Sequence, residues 1–146
     1  MIKSFLEKNK DAGILIARVG VGAAYLFVHG WGKIMNGHEL WTKLGSAMNN
    51  FGITYVHVFW GFMASLSEFG GGILLILGLF TRTASSFMAF TMVVAAINHF
   101  SKLDPWNRVI YPIEMLSILI LFIFLGGGKY SLDNLLFKTK PVTQTI

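Results

Sequence analysis

Residues 109–126 read VIYPIEMLSILILFIFLG, an apolar run whose one charged residue is Glu114. A helix needs about 20 residues, at about 1.5 Å each, to cross the hydrocarbon core of a bilayer. This run nearly fills that length. Three more of the same kind lie upstream. Residues 83–100 read TASSFMAFTMVVAAINHF, residues 55–80 read YVHVFWGFMASLSEFGGGILLILGLF, and residues 13–35 read GILIARVGVGAAYLFVHGWGKIM. Inside lipid every backbone polar group must pair within its own segment, so each run is read as a helix. The fold class is all-α, an integral membrane antiparallel four-helix bundle forming a single transmembrane domain over 1–146.

Composition agrees. Of 146 residues, 54% are hydrophobic and 13% charged, with a mean hydropathy of +0.62. Soluble domains carry about 25% charge, so this chain cannot clothe a globular surface in polar groups. The same numbers exclude disorder. The net charge of +5 is spread over short segments between apolar runs, which argues against nucleic acid as a partner. The chain has no Cys, hence no disulfide and no thiolate site. The first run is longer than a signal-peptide core, contains Arg18 and lacks a convincing cleavage site, so it is read as a retained helix.

Four helices place both termini on one side. That side carries Lys3, Lys8, Lys10, Arg82, Lys129, Lys138 and Lys140; the other carries Lys43, Lys102 and Arg108, with Lys33 at a helix end. Basic residues stay on the cytoplasmic side during insertion, so both termini are expected on the cytoplasmic side. Trp31, Trp60, Trp106 and Tyr111 fall near the outer helix ends, as in an aromatic belt. The short link at 80–83 makes the second and third helices antiparallel neighbours. In the first outer loop, Leu40, Trp41, Leu44, Met48 and Phe51 recur at near-helical spacing. This is either an amphipathic helix lying over the bundle mouth or a solvated loop. Ser131 and Asp133 open an interfacial segment at about 130–138, and 139–146 reads as a loose tail. Gly20, Gly22, Gly70, Gly71, Gly72 and Gly78 are read chiefly as sites of close helix packing.

Ionisable groups at membrane depth are costly and face partners or cavities. Counted by helical rise from the ends of the runs, Arg18 and Glu68 both lie roughly 7–12 Å above the inner boundary. They are expected to pair as a structural lock, or to form a proton relay or an anion site in which Arg18 holds a negative ligand group. His29, His57, His99 and Glu114, one from each helix, fall within about 10 Å of the outer boundary, with Lys33 and Asn98 at similar height. This layer could hold a quinone headgroup or a small anion, with His29, His99 and Glu114 as catalytic residues and Lys33, His57 and Asn98 as binding residues. Two alternatives stand beside it. His29, His57, His99 and Glu114 could bind a divalent metal, and two of the histidines could ligate a haem. The spacing matches no metal motif.

Arg18-Val-Gly20 with His29-Gly30-x-x-Lys33-Ile34, Glu68-Phe-Gly-Gly71-Gly72 leading to Gly78 and Thr81-Arg82, Glu114, and the closing Gly126-Gly-Gly128-Lys-Tyr-Ser131-Leu-Asp133 together resemble the DoxX family of small four-helix bacterial membrane proteins. The resemblance covers roughly residues 13–134. It implies a four-helix bundle in the cytoplasmic membrane and likeness to the small subunit of thiosulfate:quinone oxidoreductase. It also implies that Arg18, Glu68, His29, Lys33 and Glu114 stand at the family's recurrent polar positions. The function expected is a quinone-linked redox subunit with a pocket in the outer half of the bundle. A non-catalytic anchor or assembly subunit of a larger complex and a small-molecule transporter remain as alternatives. Expected partners are the lipid bilayer and a protein subunit or a second copy.

Overall fold

The computed structural model describes residues 2–137, with side chains from residue 8 onward. Lys138, Lys140, the tail at 139–146 and the side chain of Lys3 lie outside the described residues. The first transmembrane helix is composite. It runs as α1 (Ile2–Ala23), a π-helical segment (Ala24–Gly30) and α2 (Trp31–Met35). Then come α3 (Gly37–Gly45), a 3-10 segment (Ser46–Phe51), α4 (His57–Leu77), α5 (Thr81–Ser101), α6 (Trp106–Leu125) and the short α7 (Leu132–Leu136). Four segments are long and apolar enough to cross a membrane: Lys8–Met35, His57–Leu77, Thr81–Ser101 and Trp106–Leu125.

The helix limits follow from local chemistry. The first helix starts well before residue 13, because the polar stretch ahead of the apolar run is rich in good helix formers. Gly78, left-handed at φ 66°, ends α4, and the N–H groups of Gly78 and Leu79 satisfy the carbonyls of Leu75 and Leu74. The connection between the first two spans is helical over Gly37–Gly45 and Ser46–Phe51. It does not lie across the mouth of the bundle. Instead α3 runs antiparallel along the first turns of α4, with Gly45 against the backbone of His57 and Gly61 against that of Trp41. The first helix and α4 also touch backbone to backbone, at Gly22 and Gly72. Gly20 and Gly70 meet no such neighbour.

At the end of the bundle where α7 lies, two side chains tie the elements together. The Arg18 guanidinium donates to the carbonyl oxygens of Leu75 (2.7 Å), Ile76 (3.0 Å) and Tyr130 (2.7 Å). The Asp133 carboxylate accepts from the N–H groups of Phe80 (2.6 Å) and Thr81 (2.8 Å), so α7 caps the start of α5. A carboxylate there satisfies orphan donors and complements the helix dipole. Asp133→Ala is expected to cost about 1–2 kcal/mol, the usual worth of an N-cap. A lowered denaturation midpoint in detergent would show it, with Asp133→Asn falling between.

The expected Arg18–Glu68 pair is not formed. Arg18 sits level with the last turn of α4, where helix-end carbonyls lack intrahelical partners and attract a cation. Glu68 lies seven to eight residues earlier in α4 than the carbonyls Arg18 holds, or about 11–12 Å away along the helix. Between them the interior is apolar, a cluster that includes Tyr25, Leu75, Met88, Met92, Leu119 and Phe122.

Candidate functional site

Beyond that cluster, toward the α3 end, the four helices part around a cavity of about 420 Å³. The first helix contributes Tyr25, His29 and Lys33, and α4 contributes Glu68. From α5 come Met92, Ala95 and His99; from α6 come Asn107, Arg108, Tyr111 and Pro112. Two helix irregularities meet here. Tyr25 and His29 both sit in the π-helical segment, a rare form that recurs at functional sites. Pro112 lies inside α6, where it removes one backbone hydrogen bond.

Glu68 stands on the α4 wall. Its side chain is 2% exposed, and Lys33 Nζ holds both carboxylate oxygens, at 2.7 and 2.6 Å. The lysine is 29% exposed, so the pair is buried on the carboxylate side and open on the ammonium side. From this pair toward the core cluster runs an aromatic ladder. The rings of Tyr25 and His29 are 5.8 Å apart and those of His29 and Tyr111 are 4.9 Å apart. The Tyr111 hydroxyl and His29 Nε2 share a 2.6 Å hydrogen bond. Tyr25 is fully buried, and its hydroxyl has no hydrogen-bond partner among the described residues. At the rim, His99 Nδ1 contacts Asp104 Oδ2 at 2.6 Å. That hydrogen bond is the main reason the Asp104 carboxyl is held below the usual carboxylate range. The lining thus offers a buried hydroxyl, cationic donors at Lys33 and Arg108, and apolar walls at Met92, Ala95 and Pro112.

The structure brings His29, Lys33, Glu68 and His99 to one cavity and leaves the other expected site residues outside it. His57 bonds Asn49 Oδ1 at 2.8 Å, and Asn98 meets Asn50 at 3.5 Å. Arg18 belongs to the far end. Glu114 is exposed and points away from the cavity, since two residues past buried Pro112 lie about 200° round the helix. The four-residue metal set therefore does not assemble. No group of three His, Cys, Asp or Glu that could hold a metal ion occurs among the described residues. Tyr111, expected in the aromatic belt, turns into the cavity, whereas Trp31 and Trp106 are exposed near the helix ends. Sequence reasoning passed over Tyr25, Asn107 and Arg108. A signal for Tyr25 was present: Tyr25, His29 and Lys33 follow one another at i, i+4 and i+8, a single helical face.

Comparison with known proteins gives a consistent picture. A family model described as DoxX matches residues 13–100. The chain is 31% identical over 140 residues to "Inner membrane protein YqjF" of Escherichia coli (strain K12), covering 91% of this chain and 98% of that protein. It is 31% identical over 142 residues to an uncharacterized protein of Haemophilus influenzae, covering 91% of this chain and 97% of that one. No solved structure matches.

Proposed function

The chain belongs to the DoxX family, and on that premise we propose that it is a bacterial inner-membrane protein whose cavity binds a quinone headgroup as part of a redox complex. Both termini face the cytoplasm in this reading, and the α3 end is the outer one. The observation that carries it is the Tyr25 hydroxyl, buried at the cavity and without a partner among the described residues. An unpaired buried hydroxyl costs free energy; Thr81 and Ser85 also carry one, but of the three only that of Tyr25 lines this cavity, where an acceptor from outside can reach it. A quinone carbonyl is such an acceptor, and the apolar walls suit its ring.

The bundle's packing favours a ligand that arrives from the bilayer. The first helix packs along α4 and α6 packs along α5, so the first helix and α6 have the least contact of any neighbouring pair. The His29–Tyr111 hydrogen bond bridges that seam. Quinone, when bound, supplies the redox chemistry. The chain's own residues supply the rest. Tyr25 and Lys33 donate hydrogen bonds that orient the headgroup. Glu68, held by Lys33, offers a carboxylate oxygen to receive a proton. His99 and Arg108 guard the polar rim.

The test is saturable binding of short-chain benzoquinones and naphthoquinones to purified protein in nanodiscs. Tyr25→Phe keeps the ring and removes only the hydroxyl. It is expected to weaken binding about three- to tenfold, the worth of one net hydrogen bond. Absence of saturable binding by the unaltered protein, or unchanged binding by Tyr25→Phe, would overturn the reading.

A further inference from the structure

Glu114 is a carboxylate on the wrong side of its helix for the cavity. It stands eight residues below Trp106, the exposed aromatic that opens α6. That is a depth of about 12 Å, close to the middle of a span roughly 30 Å thick. It is exposed, and it makes no hydrogen bond or ion pair among the described residues. The residues around it on the same face are Ile110, Ile113, Leu121 and Phe124, all exposed and apolar, and Ser117. Ser117 spends its proton on the carbonyl of Ile113 at 3.0 Å, leaving its oxygen free to accept. A lone acidic group near the centre of a bilayer costs about 2.5–3.5 kcal/mol even on insertion scales, so it calls for a partner. None is offered among the described residues. Lys33, the basic side chain nearest this depth, is committed to Glu68. Arg108 lies six residues, or about 9 Å, nearer the outer end of α6 and about 240° round it.

We propose that the outward face of α6 around Glu114 and Ser117 docks a transmembrane helix of another protein, one that carries a basic side chain at the matching depth. Charge complementarity sets the partner's chemistry: both Glu114 and the free Ser117 oxygen accept, so the partner must donate. A second copy of this chain fits poorly. In the same orientation it would bring Glu114 against Glu114 about a two-fold axis, and it has no exposed Lys or Arg at that depth among the described residues. This docking face is independent of the cavity.

The experiment uses the full-length protein in phosphatidylcholine vesicles. The probe is a polyleucine transmembrane peptide with one Lys about 12 Å below its outer end, read by energy transfer between labelled protein and labelled peptide. An all-leucine peptide is the control. The lysine peptide is expected to associate about five- to thirtyfold more tightly than the control, the range of a hydrogen bond between helices in lipid. Glu114→Gln should erase most of that difference. Glu114→Leu, which removes a charge from lipid, should insert and fold at least as well, so a loss of association there reports docking rather than misfolding. Equal association of both peptides would overturn the proposal. So would transfer between two labelled copies of the protein that disappears in Glu114→Gln, since that outcome assigns the face to self-association.

Discussion

Replacing Lys33 with Met is expected to destabilise the protein more than replacing Lys33 and Glu68 together. Glu68 is 2% exposed, about 14 Å from the end of α4, and Lys33 satisfies both its oxygens. Removing the lysine leaves a buried carboxylate with no counter-charge, which typically costs about 3–5 kcal/mol. The Lys33→Met/Glu68→Gln double variant removes the charge as well as its partner. Buried ion pairs replaced whole by uncharged residues are often close to neutral, so the double variant should recover most of the loss. Denaturation midpoints of the three proteins in one detergent decide the matter. Equal midpoints for the single and double variants would show that the pair contributes nothing beyond packing. The double variant also separates stability from binding. On the proposed reading it should fold yet bind quinone poorly, because Lys33 and Glu68 would no longer present a donor and a proton acceptor to the cavity.

The four spans were legible in the sequence because lipid gives a backbone few options: a long apolar run must be a helix. Which polar groups meet was harder to see, for two physical reasons. Depth was counted from the ends of apolar runs, but the first helix starts earlier and its apolar segment, Lys8–Met35, is longer than a bilayer requires. Arg18 therefore sits at the end of the bundle beside Leu75 and Tyr130, and Lys33 takes the place given to it opposite Glu68. Rotation was the second gap. In water the apolar stripe of a helix reveals its inner face. In lipid both faces are apolar, and α6 is the most apolar of the four spans. Depth alone put Glu114 in the functional layer, while its direction, set by its place two residues after buried Pro112, took it out again. Where a polar stripe did exist, at Tyr25, His29 and Lys33, the sequence held the cavity-facing side of the first helix in plain view.

Gly61→Ala is expected to be among the most disruptive single-methyl changes in the chain. A Cβ at residue 61 would fall on the backbone carbonyl of Trp41, and one at Gly45 on that of His57. Backbone cannot swing aside as a side chain can, so α3 must lift off α4. Overpacking a core usually costs about 1–3 kcal/mol, and here the obstruction is rigid. The damage should also reach the cavity. The Trp41 indole donates to the Lys33 carbonyl at 2.9 Å and packs against Phe62, with ring centroids 4.9 Å apart. Lifting α3 pulls on the turn that carries Lys33, so quinone binding should weaken although residue 61 touches no ligand group. Hydrogen exchange should rise across α3 and stay low in α5 and α6. Gly70→Ala is the control, because a Cβ there makes only ordinary contact, 3.7 Å from Leu66. Alanine is the better helix former by about 1 kcal/mol, so that variant should be neutral or slightly more stable. If Gly61→Ala matched it, the close approach of α3 to α4 would not be what holds the α3 end of the cavity together.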